Sequence, residues 1–261
     1  MELGMITSRS NDKIKRYRSL LSKPEEGLVC LEGQRLVADS IDAGARLLSI
    51  YISPKAHAIE ETGSILLRAE ESGAEVIEVS EDVLQYMCDT EHPRGIVAVA
   101  SWNSAVGIDL EKPAVALDGV QDPGNVGTII RSAAAFGYGA VLLGGETAKA
   151  YSPKVARASM GSIYRLDILH LKNLAGSLQG LKDCGCKVYG LDMDGDPVDA
   201  IVLTMPYCLV VGSEGAGLSN GVRAVLDGLV SIPMKGGVES LNAAVASSIA
   251  MWAISKRVQQ G

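Results

Sequence analysis

Three polar clusters stand at the ends of apolar runs, and their side chains have the types needed to hold or move a charged group. In the last quarter, IPMKGGVESLNAAVASSIAMW (232–252) passes from an apolar run through a glycine loop into a long helix. The loop sets Glu239, Ser240 and Asn242 beside the helix N-terminus, where free backbone N–H groups can hold a polar ligand or anion. LDGVQDPGNVGTIIRSAAAFG (117–137) and LVVGSEGAGLS (209–219) have the same build, and they contribute Asn125, Arg131 and Glu214. Each residue also has a plain structural reading: Asn125 as a turn or cap, Glu214 as a first-turn acid, and Ser240 with Asn242 as another cap. Arg131 is harder to dismiss. It follows Ile129 and Ile130 and precedes Ser132 and three alanines, a helix patterned for burial. An arginine there needs an anionic partner, either Glu214 or a substrate phosphate, because an unpaired buried charge costs several kcal/mol.

Other chemistries fall away on spacing. The dinucleotide signature GxGxxG is absent, since Gly124-Asn125-Val126-Gly127 has the wrong period, and no GxxxxGK[ST] occurs. Gly217 to Gly221 matches GxSxG, but a nucleophile elbow belongs directly at a strand end, whereas Ser219 lies seven residues past Gly212. No histidine follows His170 to complete a triad. His57, His92 and His170 are scattered and none is near a cysteine pair, so no metal is expected. The five cysteines (Cys30, Cys88, Cys184, Cys186, Cys208) read as reduced structural thiols.

The elements that position these clusters follow from the apolar pattern. The 261 residues are 47% apolar with 29 glycines, which fits a compact α/β protein. In the first part, apolar runs at 28–32, 47–53, 75–79 and 95–101 alternate with helical stretches over 34–43, 57–71 and 81–88, after an opening helix capped by Ser10. A second alternation supplies strands at 114–118, 140–144, 164–169, 187–192, 207–212 and 229–233, and a last helix over roughly 241–258. Its near-continuous apolar runs predict a buried parallel sheet, whose strand ends carry the three loops on one edge. The expected division is a first domain over 1–103, a weakly patterned linker over 104–113 and a second domain over 114–261.

Charge and hydropathy narrow the partners. Neither a leader peptide nor an apolar run of 18 residues is present, so the cytoplasm is the default and no membrane partner is expected. The net charge of −7 argues against a nonspecific nucleic-acid coat, and DNA is not expected. Residues 1–23 nevertheless carry Arg9, Lys13, Lys15, Arg16, Arg18 and Lys23 against Glu2 and Asp12, which reads as an RNA-facing arm or as a solvated helix face.

Taken together and in order, DPGNVGTIIRSAAAFG, VGSEGAGLS and IPMKGGVESLNAAVA resemble the three motifs of the SpoU or TrmH class of SPOUT RNA methyltransferases, which methylate a ribose 2′-hydroxyl from S-adenosylmethionine. YSPKVARASMGSIYRL (151–166) extends the likeness, and residues 6–101 resemble that family's accessory RNA-binding domain, an L30-like α/β/α fold. Arg94 departs from the pattern, which has a glutamine there. The resemblance implies a second domain with a deep trefoil knot and a mostly parallel sheet, a homodimer, and a structured RNA substrate, ribosomal rather than transfer RNA.

It also implies roles. Gly212, Ile232 and Leu241 would form the S-adenosylmethionine pocket, with Leu191, Met234 and Gly215 as further candidates, and Arg9, Lys13, Lys15, Arg16 and Arg18 would meet RNA. Arg131, Asn125, Glu214, Ser240 and Asn242 would form the catalytic group. The family sometimes assigns the arginine as general base. A guanidinium is effectively always protonated, so Arg131 is better read as holding a phosphate and stabilising the developing oxyanion. The rival readings are a transfer-RNA methyltransferase, a noncatalytic RNA-binding protein that keeps the fold, and a protein-only interaction module.

Overall fold

A computed structural model describes residues 4–57, 59–90, 95–235 and 240–257; Glu2, His92, Arg94, Glu239 and Val258 lie outside the described residues. The chain gathers into two compact units, 1–103 with 151–165 and 104–150 with 166–261.

The first unit is built on a mixed sheet. Its elements are α1 (Asp12–Ser22), β1 (Leu28–Glu32), α2 (Gln34–Asp42), β2 (Leu47–Ile52), α3 (Pro54–His57), α4 (Glu60–Glu71), β3 (Glu75–Glu78), α5 (Glu81–Met87) and β4 (Ile96–Ser101). The strand order is β1-β4-β2-β3, with β4 antiparallel to both its neighbours and β2 parallel to β3. Ile14, Tyr17 and Leu20 of α1 bury against Cys30, Tyr51, Leu84, Met87 and Val99. The cap of α1 is Asn11, whose side chain accepts from the Lys13 N–H at 2.9 Å, one residue after the expected Ser10. Asparagine and serine cap about equally well, and Ser10 instead pairs with the Ser8 hydroxyl at 2.7 Å.

The second unit carries the parallel sheet. It opens with β5 (Ala114–Asp118), α6 (Pro123–Ala135) and β6 (Ala140–Gly144). The chain then supplies α7 (Pro153–Ser159) and a 3-10 turn (Ser162–Tyr164) to the first unit. It continues as β7 (Asp167–Leu171), α8 (Leu174–Asp183), β8 (Lys187–Pro197), β9 (Tyr207–Gly212), α9 (Asn220–Arg223), β10 (Gly228–Ser231) and α10 (Ala243–Ser255). The order is β10-β8-β9-β5-β6-β7, and every neighbouring pair is parallel. Every residue of β5 and β6 is buried, as a sheet covered on both faces requires.

Two strands, β7 and β8, depart most from the expected spans. β7 begins at Asp167 rather than 164, because Met160 (φ 48°) and Gly161 (φ 75°) end α7 in left-handed geometry and the next residues close a 3-10 turn. β8 runs on to Pro197, but its pairing with β10 jumps from Gly190–Leu229 to Asp196–Val230. Residues 191–195 are therefore looped out of that ladder. Gly195 makes the return possible, since a Cβ there would lie 2.5 Å from the Leu229 carbonyl carbon and the Val230 nitrogen.

Candidate active site

The three loops leave β5, β9 and β10 at their C-terminal ends, and the paired residues Asp118 and Gly212 mark the common edge. Asp122 caps α6 by accepting from the Asn125 N–H at 2.8 Å, with Pro123 in the first turn. Asn242 caps α10, its Oδ1 accepting from the Ala244 and Val245 N–H groups at 3.0 and 3.2 Å. With that oxygen committed, the Asn242 Nδ2 donates to Asn125 Oδ1 at 3.0 Å. Asn125 then has its own Nδ2 free, and it donates to the Glu214 carboxylate. The result is a directed chain from the α10 N-terminus through two amides to an acceptor-only carboxylate.

Glu214 sits in a tight turn closed by the Ser213 N–H to Gly217 oxygen bond at 3.1 Å and its reverse at 3.0 Å. Gly212 is required by this turn: a Cβ there would lie 2.3 Å from the Gly217 carbonyl carbon and 2.6 Å from the Leu218 nitrogen. At Gly212 the missing Cβ thus admits the protein's own backbone.

Beside the chain lies a cavity of about 260 Å³. Gly212, Ile232, Leu241, Leu191 and Met234 all line it, together with Ser240, Glu214 and Asn242. Gly215 is exposed and lies off the lining. Its mostly aliphatic wall with a polar edge suits an adenosyl group that packs on apolar surface and is oriented by a few hydrogen bonds. Asp192 and Met193, at the end of the first part of β8, also line the cavity and were missed from sequence. Their signal was the one used for the other loops, a polar residue just past an apolar strand. Burial raises the Asp192 pKa, but the Asp194 N–H, the Arg223 guanidinium and the Met193 N–H outweigh it and leave the carboxyl below its ordinary value.

Arg131 differs from expectation. It is exposed on α6, whose buried face is Val126, Ile129, Ile130 and Ala133, and it does not line the cavity. Glu214 pairs with Asn125 instead, and among the described residues Arg131 has no ion-pair partner. The error came from reading sequence neighbours. Residues 124, 128 and 131 recur at three- and four-residue steps on the solvent side of the helix. Ser219 is a cap, its hydroxyl accepting from Val222 N–H while its own N–H donates to buried Asp118 at 2.7 Å, so the GxSxG match carries no nucleophile.

The expected basic arm is largely matched by acids. Lys13 pairs with Glu75, Lys15 with Asp12 at 3.7 Å, Arg18 with Asp89 at 3.2 Å, and Arg16 grips both oxygens of Glu25 at 2.5 and 2.6 Å. Arg9 and Arg18 also lie over the Tyr86 ring, 5.1 and 5.3 Å from its centroid.

Comparison with known proteins agrees with this geometry. Residues 112–252 match the SpoU rRNA Methylase family and residues 11–98 the MRM3-like substrate binding domain. The chain is 32% identical over 254 residues to the 23S rRNA (guanosine(2553)-2′-O)-methyltransferase RlmP of Bacillus subtilis, covering 96% of this chain and 98% of that one. It superposes on the AdoMet-bound rRNA methyltransferase of Sinorhizobium meliloti with a TM-score of 0.85 at 27% identity, covering 97% of each chain. The SpoU methyltransferase AviRb of Streptomyces viridochromogenes, in complex with AdoMet, gives a TM-score of 0.81 at 27% identity, covering 94% of this chain and 98% of that one. With the family model matched over residues 112–252 and a 32% identical relative aligned over 96% of the chain, the chain belongs to the SpoU rRNA methylase family of RNA methyltransferases that use S-adenosylmethionine.

Proposed function

We propose that the chain methylates the 2′-hydroxyl of one nucleotide in ribosomal RNA of the 23S type, and that it works as a homodimer in the cytoplasm. The observation that carries the chemistry is the chain Asn242–Asn125–Glu214 at the cavity edge, whose middle member, Asn125, shares helix α6 with the exposed Arg131. When bound, S-adenosylmethionine supplies an electrophilic methyl carbon; the protein's own contribution is alignment and charge. Gly212, Ile232 and Leu241 hold the adenosyl end. Asn125 orients the ribose, and its side-chain amide keeps one direction because Asn242 can only donate to it and Glu214 can only accept. Arg131 grips the adjacent phosphate with its planar fork and stabilises the oxygen as it loses its proton to that phosphate or to water. Ser240 at the cavity rim anchors the RNA backbone.

The basic residues of α1 fit the same reading. Exposed ion pairs are worth only about 0–1 kcal/mol, so RNA phosphates can displace Glu75, Asp12, Glu25 and Asp89. Dimerisation is supported by Val245, Ile249 and Trp252, which are 48%, 38% and 47% exposed and form an apolar stripe on α10. The knotted threading belongs to this reading as an expectation of the family. No helix among the described residues is long and apolar enough to cross a membrane.

The deciding experiment maps 2′-O-methyl groups in total RNA with and without the gene, then restores the missing one with purified protein. Loss of a single mark in the large ribosomal RNA is expected. Loss of a transfer-RNA mark instead would move the substrate, and loss of none would return the noncatalytic reading.

A further inference from the structure

Two carboxylates line the cavity, and they are balanced in opposite ways. Glu214 is held by a neutral amide and has no ion-pair partner among the described residues. Asp192 is held by the Arg223 guanidinium, which is itself anchored by donating from Nε to the Leu218 carbonyl at 3.2 Å. The Asp194 N–H donates to the other Asp192 oxygen at 3.2 Å. The Asp192 side chain is 17% exposed, so this arrangement sits in the cavity wall rather than on open surface.

A compensated carboxylate is poorly suited to sensing a cation. It is well suited to accepting from a neutral hydroxyl, because about four acceptor positions exist and the guanidinium and backbone N–H groups occupy only some of them. The setting is equally specific. Leu191, the residue before Asp192, pairs with Val211, the residue before Gly212, in the last β8–β9 pair, so Asp192 stands where that ladder ends, level with the glycine turn. In doubly wound dinucleotide-binding sheets an acid at a comparable place takes a ribose hydroxyl. The excursion that carries it is clamped at Gly195, where the backbone of β10 leaves no room for a Cβ.

We propose that Asp192 recognises the cofactor through a ribose hydroxyl, with Arg223 as the residue that positions its carboxylate. This rests on the cofactor reading of the cavity. The test is calorimetric binding of S-adenosylhomocysteine, and of its 2′-deoxy and 3′-deoxy forms, to the full chain. Asp192→Ala weakens the parent ligand about 10- to 100-fold, the range of a hydrogen bond to a charged group. The wild type discriminates against at least one deoxy form by a similar factor, and Asp192→Ala binds that form and the parent alike. Asp192→Asn, which preserves shape and one acceptor, falls between and carries the test if the alanine variant does not fold. Arg223→Met loses part of the deoxy discrimination and Arg223→Lys regains some of it, a readout that a purely structural ion pair would leave unchanged. Binding by both Asp192 variants within twofold of wild type, or undiminished deoxy discrimination in them, overturns the inference while leaving the cofactor reading intact. Absence of wild-type binding overturns both.

Discussion

Two helices of this protein carry arginines on exposed faces, and they treat them differently. On α1 each of Lys13, Lys15, Arg16 and Arg18 is met by an acid. On α6 Arg131 has no ion-pair partner among the described residues, although it lies in the same helix as the fully engaged Asn125. The contrast separates two uses of positive charge. On the proposed function, the paired surface cations of α1 give a general attraction to RNA that tolerates single losses. On the same proposal, Arg131, exposed and without an ion-pair partner among the described residues, serves one phosphate and one developing oxyanion.

The comparison breaks first at Arg131. Arg131→Ala lowers methyl transfer about 10³-fold while cofactor binding and thermal stability stay near wild type, as expected for an exposed group acting on the transition state. Arg131→Lys recovers only a fraction; near-normal turnover with unchanged RNA affinity would sink the role of the planar fork. Asn125→Ala comes next, with a fall of about 10² in single-turnover rate. Calorimetry decides its meaning, because loss of cofactor binding would make Asn125 a structural residue. Asn242→Ser keeps a capping oxygen but removes the amide donor, so stability holds within about 0.5 kcal/mol while turnover drops about tenfold. The smallest effects belong to α1: Arg16→Ala and Arg18→Ala each weaken RNA binding about two- to threefold in a filter-binding titration. A tenfold loss from either would erase the distinction drawn between the helices.

Much of this was legible in the chain because parallel strands are short, wholly buried and abruptly ended. β5, β6 and β9 occupy the expected runs, and the loops that follow β5, β9 and β10 converge as the strand-end rule requires. What failed was information that needs the third dimension. The pattern around Arg131 looked buried because its neighbours in sequence are, yet one turn of helix separates the apolar face from solvent. Asp192 stayed hidden because its strand continues past it after a looped-out excursion, which the pattern KVYGLDMDGDP does not announce. The acids that meet α1 are drawn mainly from elsewhere in the fold, with Glu75 and Asp89 far along the chain, so a count over residues 1–23 overstated the local charge.

Asn242 is both the cap of the last helix and the donor that fixes Asn125, which precedes it by more than a hundred residues. Without Asn242, Asn125 Oδ1 loses its donor, and less then settles which way the Asn125 amide faces. On the proposed mechanism the final helix completes the alignment, and a chain interrupted before it would keep Asn125, Arg131 and Glu214 but lose the donor that orients the first of them.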